Sequence, residues 1–98
     1  MKKKDPKILQ LMQTVSSMET PEECLALFED LCTVKELRDM AARLETAFLL
    51  SEGKNYQEIT AETGISSATI SRVKRCLEYG AGGYDSAIKR SERGQANK

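Results

Sequence analysis

The chain has no histidine and only three cysteines among its 98 residues. Without imidazole, the side chain most often used as a general acid or base is missing. Cys24, Cys32 and Cys76 are odd in number and show no C-x-x-C spacing. That excludes a disulfide framework, and no histidine is there to complete a zinc site. Cys24 and Cys32 lie eight residues apart and read as small apolar residues on one helix face, with nothing nearby to activate a thiol. Aromatics and prolines are few, and no apolar run approaches the roughly 20 residues that span a bilayer. The basic start Met1-Lys2-Lys3-Lys4-Asp5-Pro6 leads into no long apolar stretch, so it is not a secretory signal and a cytoplasmic protein is expected. Glycine clusters once, at Gly80-Ala81-Gly82-Gly83, but without the strand-turn-helix context of a phosphate loop. The many carboxylates read as solvated helix faces. An enzyme is not expected, nor a cofactor or a metal.

Net charge is also lacking, since 15 basic residues balance 15 acidic ones. The balance is uneven along the chain. Residues 1–7 carry four Lys and one Asp (+3), and residues 8–53 carry three basic and nine acidic groups (−6). Residues 54–79 sum to +1 and residues 80–98 to +2. Neutrality thus hides an acidic N-terminal half and basic ends, a distribution compatible with a polyanionic partner.

What the chain does have is a series of helix starts. Thr20-Pro21-Glu22-Glu23 offers a cap, a proline at the first helical position and a reciprocal Glu. Thr33-Val34-Lys35-Glu36 and Asn55-Tyr56-Gln57-Glu58 repeat the pattern. They predict helices over about 6–17, 21–31 and 34–51. The apolar stripes are Ile8, Leu11, Met12 and Val15; then Cys24, Leu27, Phe28 and Leu31; then Val34, Leu37, Ala41, Leu44 and Phe48, widened by Met40, Ala47 and Leu50. Short helices at about 56–62 and 67–79 follow the stop at Gly53. A weak last helix is expected from Tyr84 to about Ser91, with Glu92–Lys98 a frayed tail. The fold class is all-α, about six helices in one small domain. A chain this short buries only about 60–65% of its unfolded surface, so a lone copy is marginal and a second copy would help.

The informative stretch runs from Tyr56 to Arg75. Gly64 supplies the tight corner of a helix-turn-helix, and Ile59, Ile65, Ile70 and Val73 have the intervals that pin such a corner from both sides. Ser66 or Ser67 caps the second helix. Its first turn then presents Ser67, Ala68 and Ser71 outward, with Thr69 beside them. These short side chains let a helix approach base edges at its N-terminal end. Hydroxyls are permissive partners for bases and phosphates, and alanine can touch a thymine methyl. Arg72, Lys74 and Arg75 suit backbone contacts, and Gln57 is placed to grip a phosphate at the start of the first helix. A purely structural helical hairpin would also turn at a glycine. The agreement of glycine, apolar positions, small polar turn and basic run favours DNA. One departure is Thr60, where such motifs usually carry alanine.

These residues, with the long helix before them, resemble the Trp repressor superfamily and in particular its YerC/YecD group. The resemblance covers about Leu31 to Tyr84, roughly half the chain. It rests on Arg43-Leu44, Leu49-Leu50, Gln57-Glu58-Ile59, Gly64 and Ala68-Thr69-Ile70-Ser71-Arg72. It implies one Trp-repressor-like domain over 1–98, in an intertwined homodimer. Residues 6–53 would be dimerisation helices, 54–79 the helix-turn-helix, and 80–98 a C-terminal helix and tail. It also implies a transcription regulator, a repressor by analogy, acting on double-stranded DNA. In that family two arginines clasp tryptophan, one on the long helix and one on the recognition helix. Arg72 matches the second. The first position carries Glu45, with Arg43 two residues away on another face, and an acid there would repel the ligand carboxylate. Tryptophan is therefore not expected as corepressor, and Arg72 is free for DNA or for an ion pair with Glu45. The competing reading is a helical protein-interaction module, without DNA, using the acidic residues 8–53.

Overall fold

The computed structural model describes the backbone of residues 5–96 and the side chains of residues 5–91. Six helices occur among them: α1 Pro6–Ser17, α2 Pro21–Leu31, α3 Val34–Ser51, α4 Tyr56–Thr63, α5 Ser67–Tyr79 and α6 Gly83–Ala96. No strand occurs among the described residues. The starts are set by local chemistry. Asp5 accepts from the Lys7 amide at 2.8 Å, and Thr20 from the Glu23 amide at 3.1 Å, while the Glu23 carboxylate reaches back to the Glu19 amide at 2.7 Å. Thr33 and Glu36 exchange both bonds of a capping box, as do Asn55 and Glu58. Each box satisfies amide donors that the first turn of a helix would leave bare.

Two compact units divide the chain, one up to Leu37 and the other from Arg38 onward. In the first, α1 and α2 contain no buried residue. Ile8, Leu9, Leu11, Met12, Leu25 and Leu31 are all exposed, and Val34 at the start of α3 is 65% exposed. Cys24 and Cys32 are half-buried and unpaired. They do not share a helix face. Helix α2 ends at Leu31, and Cys32 caps it in an extended conformation, because Thr33 must at once open α3.

The second unit holds the core, in two clusters. Ala47, Val73 and Ile88 form one, with Phe48, Leu77 and Tyr84 packed against it. Leu49, Ile59 and Ile70 form the other, with Tyr56 and Ile65 alongside, and Leu50 borders both. The expected α3 stripe is met in part: Ala47 is buried, and Leu37, Met40, Phe48 and Leu50 are half-buried. Ala41 and Leu44 are exposed, and Thr46, Ala47 and Leu49 are the buried positions. The C-terminal end of α3 serves two neighbours at once, and a single stripe cannot. Thr46 can be buried because its hydroxyl donates back to the Ala42 carbonyl at 2.8 Å. Helix α6 continues to Ala96, so fraying does not begin at Glu92; Asn97 and Lys98 lie outside the described residues. Glu92, Arg93, Gln95 and Ala96 are good helix formers with no proline to stop them. Lys89 also pairs with Asp85 one turn earlier, at 3.1 Å.

The corner between α4 and α5 is the most closely stitched part. Gly64 sits at φ +75°, in the left-handed region, and its amide closes α4 onto the Thr60 carbonyl at 2.9 Å. The Thr63 hydroxyl donates to the Ile59 carbonyl at 2.8 Å and accepts from the Ile65 amide at 3.1 Å. The Thr60 hydroxyl donates across the corner to the Ile65 carbonyl at 3.0 Å. Threonine where alanine is usual thus contributes a bond that alanine lacks. Across the corner Ile59 and Ile70 meet, both at 0% exposure.

Two predictions follow from the corner. A Cβ at Gly64 would meet nothing within 4 Å, so Gly64→Ala isolates backbone strain. It is expected to cost about 1–2 kcal/mol, read from the urea midpoint at fixed protein concentration, whereas Gly83→Ala, at ordinary φ with open space, costs nothing. Thr60→Val keeps the shape and removes the donor; it is expected to cost about 0.5–1 kcal/mol in the same measurement.

Candidate nucleic-acid interface

The second helix of the corner, α5, begins at a cap that fixes the disposition of its first turn. Ser66 is extended, and its side chain accepts from the Thr69 amide at 3.2 Å. From there the helix divides into two sides. Ile70 and Val73 are buried and Leu77 half-buried. At roughly 100° per residue, Ala68, Ser71, Arg72 and Arg75 fall on the opposite side, with Ser67 at its edge. All five are exposed. The outer side is thus short and polar at its N-terminal end and basic one turn later.

Not every expected residue joins that face. Thr69 is half-buried, and its hydroxyl lies 3.2 Å from the Ser66 oxygen, so both side chains belong to the cap. Lys74 is exposed but turned to the flank. There it lines, with Leu50, Lys54, Tyr56, Leu77 and Ile88, an open cavity of about 480 Å³ between the end of α3, the start of α4, α5 and α6. Gln57 is exposed at the second position of α4. Its neighbour Glu58 is held in the capping box with Asn55, where its carboxylate keeps its charge and itself takes up part of the positive end of α4. Gln57 is therefore the group at this start that is offered to an anion.

One contact was not legible in the sequence. The Tyr56 hydroxyl lies 3.1 Å from the Ser71 hydroxyl, joining the first residue of α4 to the outer side of α5. The two are fifteen positions apart, beyond any helical period. The available signal was that a tyrosine packed beside a core needs a partner for its hydroxyl.

Arg72, Lys74 and Arg75 form no ion pair among the described residues. That includes the expected pair between Arg72 and Glu45, both of which are exposed. Among the described residues, no group of three or more acidic, cysteine or histidine side chains is placed to hold a metal ion. No helix among them is long and apolar enough to cross a membrane.

This geometry has close counterparts. A crystal structure of a TrpR-like protein from Eubacterium eligens matches with a TM-score of 0.87 at 40% identity, over 91% of this chain and 92% of that one. A candidate Trp repressor from Staphylococcus aureus matches with a TM-score of 0.86 at 37% identity, over 91% and 89%. The uncharacterized protein YerC of Bacillus subtilis is 51% identical over 81 residues, 83% of this chain and 78% of YerC. The family model for Trp repressor protein matches residues 6–92. The matched span takes in all of α1 to α5 and most of α6, so the helix-turn-helix and the helices before it are inherited together: the chain belongs to the Trp repressor family.

Proposed function

We propose that the protein is a sequence-specific regulator of transcription that binds double-stranded DNA as a homodimer, repressing the genes it controls. The observation that carries this reading is the exposed outer side of α5, where Ser67, Ala68, Ser71, Arg72 and Arg75 stand opposite the buried Ile70 and Val73. A helix presented in this way fits the major groove with its N-terminal residues at the base edges. Ser67, Ala68 and Ser71 are short enough to allow that approach. Arg72 and Arg75, one turn further on, meet phosphates or a guanine. Gln57, beside the capping box at the start of α4, takes a phosphate on the near side. Ser66 and Thr69 shape the cap, and Lys74 contributes charge from the flank.

Homodimerisation is supported by the N-terminal helices. Among the described residues, α1 and α2 contain no fully buried residue and leave Ile8, Leu9, Leu11, Met12, Leu25 and Leu31 exposed. A second copy of the same helices supplies the missing cover, through intertwining of residues 6–53 from two chains. This cover adds to the core that α3 to α6 form within one chain. The acidic charge of residues 8–53 then stays away from DNA, with the basic residues of α5 facing it. One head offers few charges, so affinity depends on two heads acting together. Repression, and a cytoplasmic place of work alongside the DNA, follow from likeness to the family.

A second reading, a protein-interaction module that does not bind DNA, draws on the same exposed apolar helices and the acidic N-terminal half. The two diverge in experiment. Enrichment from a random DNA pool is expected to yield paired half-sites about 34 Å apart, one helical turn, with binding that weakens as salt rises. Capture of a stable protein partner, with no DNA sequence enriched, would favour the second reading. Ser71→Glu places a carboxylate on the outer side of α5 and is expected to weaken binding to the enriched duplex at least about ten-fold. Size-exclusion chromatography should show its dimer intact, and wild-type affinity in this variant would contradict the assignment of α5.

A further inference from the structure

We propose that Tyr56 is the positioning residue that decides which hydrogen-bonding capacity Ser71 turns toward a base. The inference rests on the DNA reading above and deepens it. A serine hydroxyl has one proton and two lone pairs and rotates freely, so unaided it pairs with donors and acceptors alike. Ser71 is not unaided. Its oxygen lies 3.1 Å from the Tyr56 hydroxyl. The Tyr56 ring is half-buried against the cluster of Leu49, Ile59 and Ile70, which also forms the corner. The phenol is therefore anchored to the same rigid unit that carries α5, while Ser71 remains exposed on the outer side.

The direction of the bond sets the consequence. At this distance either hydroxyl can donate; the phenol is the more acidic of the two, so the proton of the bond is assigned to Tyr56 and the Ser71 oxygen accepts. The proton of Ser71 is then left to point outward. Ser71 becomes a donor and matches acceptors in the major groove: O6 or N7 of guanine, N7 of adenine, O4 of thymine. The bond received from Tyr56 uses one of the two lone pairs and polarises the Ser71 O–H, so Ser71 donates more strongly than it accepts. The N4 amino group of cytosine, which needs a lone pair, is the weaker match. A permissive residue is thereby made selective by a neighbour that touches no base. Without the phenol, the Ser71 hydroxyl turns either way and the preference relaxes.

The test compares four full-length proteins: wild type, Tyr56→Phe, Ser71→Ala and the double variant. The wild-type chain is first used to enrich a preferred duplex from a random pool. Each protein is then titrated with that duplex and with a set carrying every single base-pair change. Tyr56→Phe is expected to reduce discrimination about five-fold at one base pair per half-site, the scale of one hydrogen bond to a base edge. A merely structural role would instead lower affinity evenly across all positions. Discrimination at that base pair is also expected to be lost in Ser71→Ala, and adding Tyr56→Phe to it should change nothing further. An unaltered profile in Tyr56→Phe, an even loss at all positions, or an effect that persists in the Ser71→Ala background would overturn the positioning role alone. If the wild-type chain enriches no sequence, the DNA reading fails and this inference falls with it.

Discussion

The contact between Ile59 and Ile70 holds the rest of the site in place. Both side chains are fully buried, one from each helix of the corner, and Leu49 of α3 completes their cluster. The corner that brings them together is possible only because residue 64 adopts a left-handed conformation, which glycine takes without strain. Three threonine and amide bonds then close the turn around it. This gives α5 a defined roll about its own axis. The roll matters because it puts Ser67, Ala68, Ser71, Arg72 and Arg75 outward together. A rotation of a quarter turn would turn Lys74 and Glu78, or Thr69 and Cys76, outward instead. Packing at the corner therefore determines which side chains are available for recognition.

A different constraint acts on the N-terminal helices. Their helical state is secured locally by proline at the first position and by caps, and not by burial. The exposed part of an apolar helix face is costly in water, at roughly 25 cal/mol for each Å² left wet. Stripe pattern and observed exposure support the proposed second copy. The division of labour this suggests is association through residues 6–53 and recognition through α4 and α5. It also resolves the apparent conflict between zero net charge and a nucleic-acid partner.

Much of this was legible in the sequence because its determinants are local. Capping boxes at Thr33 and Asn55 act over three residues, so the starts of α3 and α4 could be placed from the residue string. The four apolar positions of the corner were likewise readable from spacing, since a helix-turn-helix fixes their geometry. The burial pattern of α3 was not. Its C-terminal end packs on two clusters, which puts Thr46 and Leu49 inside while Ala41 and Leu44 stay out. No single period encodes a helix with two neighbours. Cys32 fell outside α2 because the cap of the next helix begins one residue later. The bond between Tyr56 and Ser71 depends on tertiary approach alone, and the hydroxyl of Thr60 acquires its partner only once the corner exists.

The central claim is that the outer side of α5 and the start of α4 meet DNA. Amide chemical-shift mapping of the full-length protein, titrated with its enriched duplex, tests it most directly. Perturbations are expected to concentrate at Gln57 and at Ser67, Ala68, Ser71, Arg72 and Arg75, with the amides of α1 and α2 nearly unmoved. Perturbations centred on α1 and α2, or none in the corner at saturating duplex, would contradict it.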